Sequence, residues 1–103
     1  MKIKEYAEKL GLDEEDFKEL ITLFIDTSIS DLENMKSALD ENDFEKARDA
    51  AHSIKGAAGN LGFMDIWEVS SKCEKASKAG NSEEIGDTMS ILSDQVEKLK
   101  LLE

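Results

Sequence analysis

The sequence has no proline, one cysteine, one histidine and one tryptophan in 103 residues. The absence of proline favours helix. A lone Cys73 cannot form an internal disulfide, which fits a reducing compartment. One histidine and one cysteine cannot assemble a structural zinc site, so no metal site is expected. Basic residues are scarce, with 13 Lys and Arg against 24 Asp and Glu and a formal charge of −11. That balance argues against nucleic acid and against anionic membrane surfaces as partners. No apolar run approaches the ~20 residues of a membrane span, and the opening MKIKEYAEKLGLDEEDF has no signal-peptide core. The expectation is a soluble cytoplasmic chain.

What is present favours helix. Ala, Leu, Glu, Lys, Asp and Ser dominate, and a 40% apolar share is enough for a core. A short first helix is expected from about Ile3 to Leu10, with Gly11 after it and Leu12 as the closing apolar contact. Asp13 then caps a long helix whose first turn, Glu14, Glu15 and Asp16, suits its positive end. Its stripe is Phe17, Leu20, Ile21, Phe24, Ile25, Leu32, Met35 and Leu39, with Ser28 as the least buried point. After DENDF a third helix runs from about Asp43 to Asn60, with Phe44, Ala47, Ala51, Ile54, Ala58 and Leu61 inward. A turn at Gly62 leads to a fourth helix, about Met64 to Ala79, burying Ile66, Val69, Cys73 and Ala76. Gly80 ends it. Asn81 and Glu84 form a capping box for a last helix carrying Ile85, Met89, Leu92, Val96 and Leu99. The fold class is all-α: an antiparallel up-down four-helix bundle with a short N-terminal helix, one domain over residues 1–103.

The stretch DAAHSIKGAAGNLGF, residues 49–63, holds the only histidine and three of the six glycines. Each glycine inside a helix costs roughly 0.5–1 kcal/mol relative to alanine. On a helical wheel His52 falls about 140° from the centre of the inward residues, so it faces solvent. Arg48, Lys55, Gly56 and Gly59 share its stripe. Gly56 and Gly59 are read as clearing space beside the imidazole, while Arg48 and Lys55 place positive charge there. An accessible nucleophilic imidazole flanked by cations suits an anion, best a phosphoryl group.

The glycines at 56, 59 and 62 are not a nucleotide loop, since no strand precedes them and no Gly-Lys-Ser/Thr follows. DENDFEK lacks the glycine and final glutamate of a calcium loop, and a hydrolase triad lacks its nucleophile elbow. Cys73 belongs to the inward stripe and is read as core. For Trp67, and for Phe63 and Met64 at the turn, edge packing and docking contact both remain open.

AHSIKGAAGNLGF resembles the signature of histidine-containing phosphotransfer (HPt) domains: His52, two residues on Lys55 and Gly56, the small Ala57 and Ala58, and Gly62 ten positions after the histidine. HSIKG and GF are also similar to the phosphorylated N-terminal domain of chemotaxis kinases. No kinase, dimerisation or receptor-coupling segment follows here, which favours the stand-alone reading. The resemblance implies a bundle of about this length that carries phosphoryl groups between aspartates of receiver domains, in response regulators or hybrid histidine kinases. It implies no ATP-dependent kinase activity and no cofactor of its own, with Mg²⁺ on the receiver. His52 would be the phosphate carrier, Lys55 its electrostatic partner and Gly56 the clearing residue, with Arg48 and Gly59 in support. The chain would be a monomer. The rival reading is a helical adaptor that binds a receiver or kinase without being phosphorylated.

A hairpin turning near residue 62 sets position 52 opposite about position 72, within some two residues. Ser70, Ser71 and Glu74 are thereby candidates to hold the second ring nitrogen. Glu74 has the reach and the charge, and the family often has Gln or Glu near there. The alternative is a solvated glutamate paired with a lysine.

Overall fold

Five α-helices make up the computed structural model, which describes residues 3–102: α1 (Ile3–Leu10), α2 (Glu14–Glu41), α3 (Phe44–Leu61), α4 (Met64–Lys78) and α5 (Ser82–Leu99). A 3₁₀ turn, Lys100–Leu102, follows. Among the described residues there is no strand, and no helix is long and apolar enough to cross a membrane.

Short polar residues and positive-φ residues set the ends. The Asp13 carboxylate accepts from the Asp16 N–H at 2.8 Å. Asn42, at φ 55°, ends α2. Asp43 is the cap of α3 rather than its first residue, its carboxylate accepting from the Lys46 N–H at 3.0 Å. The far end of α3 reaches Leu61, where Gly62 turns left-handed at φ 80° and the Phe63 N–H closes back on the Ala58 carbonyl at 2.9 Å. The Asn81 side chain accepts from the Glu84 N–H at 3.1 Å, and its amide donates to the Glu84 carboxylate at 3.4 Å. This box closes between side chains instead of through the Asn81 backbone. Asn81→Ala is expected to cost about 1 kcal/mol, a fall of roughly 4–8 °C in Tm for a chain this size, readable by thermal denaturation.

The helices pack α2 on α3, α3 on α4, α4 on α5 and α5 back on α2, with α1 leaning on α2. Contacts between α2 and α3 pair residue 31 with 53 and 37 with 46. Between α3 and α4 they pair 52 with 74 and 59 with 67. Both pairs therefore run antiparallel. The core contains Phe17, Ile21, Met35, Ile54, Cys73, Ile85 and Leu92, all fully buried. Cys73 meets Met35 with its sulfur atoms 3.5 Å apart. At the α1 end, Phe63 sits among Tyr6, Phe24 and Phe17, with ring centroids 5.5, 5.4 and 6.2 Å away. Phe63 is thus a core residue that fastens the α3–α4 turn beneath α1, whereas its neighbour Met64 is 56% exposed.

The stripe of α2 departs from expectation most at two positions, while Leu32 and Leu39 are partly buried. Ser28 is only 1% exposed, and Leu20 is 36% exposed. At 100° per residue Ser28 lies at the middle of the arc through Phe17, Ile21, Phe24 and Met35, while Leu20 lies at its edge. Side-chain polarity does not decide it, and neither does angle alone, since Ala38, five turns on from Leu20 at the same angle, is 1% exposed. Val69 on α4 is likewise only partly buried.

Candidate functional site

The outward stripe of α3 carries His52, and α4 lies alongside it. The His52 side chain is 71% exposed. Its Nδ1 lies 2.8 Å from Glu74 Oε2. The other Glu74 oxygen, Oε1, accepts from Lys55 Nζ at 3.0 Å. Glu74 is therefore shared by the imidazole and the ammonium at once, and at 8% exposure it is not the solvated glutamate of the alternative reading.

This geometry fixes chemistry. A carboxylate only accepts, so the hydrogen bond puts the ring proton on Nδ1 and leaves the lone pair on Nε2. Among the described residues nothing is in hydrogen-bond contact with Nε2. Burial pushes the Glu74 carboxyl up, but hydrogen bonds from Lys55 and His52, with the charges behind them, outweigh it and hold it below the usual carboxylate range. The acceptor thus stays ionised through neutral pH.

Next to the ring is a shallow cleft of about 270 Å³ lined by Arg48, Asp49, His52, Glu74 and Lys78. Arg48 reaches this rim, its guanidinium 3.6 Å from the Asp49 carboxylate. Lys78 is a cation that the sequence reading passed over. It stands four residues after Glu74, on the same helical stripe, and that spacing was the available signal. The larger hollow between α2 and α3, about 450 Å³, is lined by Asp31, Asp43, Glu45 and Asp49 with Lys46 as its one cation, so it repels anions.

The two glycines separate in role. A Cβ on Gly56 would meet nothing within 4 Å, so the space beside it is open to a large visitor. A Cβ on Gly59 would stand 3.2 Å from Trp67 Cδ1. The expectation that Gly59 clears space for the imidazole is corrected accordingly: it makes room for an indole from α4. Cys73, on the buried face of α4, has its thiol pushed up by burial and plays no part here.

The family model for the Hpt domain matches residues 19–101. The chain belongs to the Hpt domain family. No curated protein and no solved structure matches it significantly. Hpt domains are helical bundles that take up a phosphoryl group on histidine and work with receiver domains in two-component phosphorelays. In this Hpt domain the matched span contains His52, Lys55, Glu74 and Lys78, and it leaves out α1.

Proposed function

We propose that this Hpt domain is a phosphorelay intermediate in which His52 accepts a phosphoryl group from one receiver aspartate and returns it to another. The observation that carries the reading is the Nδ1–Glu74 hydrogen bond on a ring that is otherwise in solvent. It makes Nε2 the nucleophile. The Nε2 lone pair forms the N–P bond as the P–O bond to the aspartate carboxylate breaks in line, and that carboxylate leaves with the electron pair. The imidazole becomes cationic, and Glu74 stabilises it through Nδ1–H. Lys55, with Arg48 and Lys78 at the rim, faces the transferred charge. The receiver supplies the aspartate and its Mg²⁺.

The four long helices serve as an up-down antiparallel bundle, one domain over residues 1–103, that keeps His52 on a rigid flank. The chain acts as a cytoplasmic monomer without kinase activity of its own. The test is incubation with a phosphorylated receiver, followed by acid-labile, base-stable labelling of the chain.

Open space at Gly56 supports a docking role for that face. Gly56→Gln should raise stability by a few tenths to about 1 kcal/mol through helix propensity. It should also raise the KM for a phosphorylated receiver while the saturating rate changes little. Full affinity in Gly56→Gln would show that the bare backbone is not needed for docking.

A further inference from the structure

Trp67 is the only tryptophan in the chain, and its ring has two neighbours that belong together. On one side is the notch left by Gly59, where any Cβ would press on the indole at 3.2 Å. Over the ring is Lys55, whose Nζ stands 5.5 Å from the ring centroid. That same Nζ donates to Glu74 at 3.0 Å, and Glu74 holds His52 at 2.8 Å. A continuous chain of contacts thus runs from Gly59 through Trp67, Lys55 and Glu74 to the imidazole.

A lysine side chain has four rotatable bonds, and left to solvent its ammonium samples many positions. An aromatic face attracts the cation and restricts it. A contact to the carboxylate alone leaves the ammonium free to pivot about it, since the Lys55 side chain is 26% exposed. The ring and the carboxylate together hold the ammonium between them, at the carboxylate that also bonds His52 Nδ1.

We infer that Trp67 is a positioning residue: seated in the Gly59 notch, it holds Lys55 at the His52–Glu74 pair so that the ammonium is in place when His52 is phosphorylated. The inference rests on the phosphocarrier reading of His52. It also explains why α3 spends a second glycine within one turn of the first, which clearance of the imidazole does not.

Phosphoramidate as donor tests this without a receiver, so a docking role of Trp67 cannot intrude. Nε2 bonds to phosphorus as the donor's P–N bond breaks, and ammonia leaves with the electron pair. Trp67→Leu should slow His52 phosphorylation about two- to fivefold, the worth of an exposed cation–π contact, and Trp67→Phe should restore part of the rate. In a Lys55→Ala background Trp67→Leu should have no further effect. An unchanged rate in Trp67→Leu, or an equal loss with and without Lys55, would overturn the proposal. A second readout needs no phosphorylation. Ring current should shift the Lys55 Cε protons upfield in the proton NMR spectrum, and Trp67→Leu should abolish the shift. Its absence in the wild type would refute the positioning. If the wild type takes up no phosphoryl group from any donor, the phosphocarrier reading fails, and the ring-current shift alone then decides for or against Trp67.

Discussion

His52→Gln is expected to take up no phosphoryl group from a phosphorylated receiver while folding as the wild type does. The fold should survive because the side chain is mostly in solvent and makes one tertiary hydrogen bond, to Glu74. A glutamine amide is of similar reach and can still donate to that carboxylate, so the α3–α4 contact is preserved. Its nitrogen lone pair is delocalised into the carbonyl, and it is no nucleophile. No other histidine exists to substitute. The expected loss is therefore complete, unlike the graded losses at neighbouring positions. The same variant separates the phosphocarrier from an adaptor. An adaptor would bind its receiver equally with glutamine at position 52 and would show no labelling in either form. Rapid-quench labelling, with acid lability and base stability as the signature of the N–P bond, reads the first property, and titration calorimetry against the receiver reads the second. Labelling that persists in His52→Gln would overturn the assignment of the site.

The outward direction of His52 was legible because a helix is rigid: once Ala47, Ala51, Ile54 and Ala58 are placed inward, the angle of every other residue follows. The partnership with Glu74 was legible for a related reason. Gly62 turns the chain within a residue or two, and an antiparallel register then follows from counting back on both sides. Ser28 and Leu20 stand the other way round from expectation, because that expectation weighed side-chain chemistry above angle on α2. Burial there follows geometry, with the serine at the centre of the buried arc and the leucine at its edge. The Gly59–Trp67–Lys55 contacts were not legible, because they depend on which rotamer an indole adopts on a different helix. No periodicity within α3 or α4 carries that information. Phe63 fell between the two cases. Its place at the turn left edge packing and docking contact both open, and its ring contacts, Tyr6 at 5.5 Å and Phe24 at 5.4 Å, make it core.

Glu74→Ala should slow phosphoryl transfer roughly ten- to a hundredfold without abolishing it. Hydrogen bonds to charged groups are worth about 1.5–3 kcal/mol, and this one strengthens as the imidazole becomes cationic in the transition state, so its loss falls on the rate. Removal also frees the ring to place its proton on either nitrogen and releases Lys55 from one of its two holds. Glu74→Gln should lie between, since the amide oxygen still accepts from Nδ1–H but carries no charge. An equilibrium measurement accompanies the kinetics. The carboxyl is held below its ordinary range in the folded chain by Lys55 and His52, against the opposing pull of burial. A depressed carboxylate contributes stability that is present above its unfolded pKa and is lost as the pH falls through its folded value. The Tm of the wild type should therefore exceed that of Glu74→Ala at neutral pH, and the gap should narrow on acidification below the usual glutamate range of about 4.3. A Glu74→Ala variant that transfers at the wild-type rate would show that the ring needs no fixed acceptor. A Tm gap that stays constant with pH would show that the carboxylate contributes by packing rather than by charge.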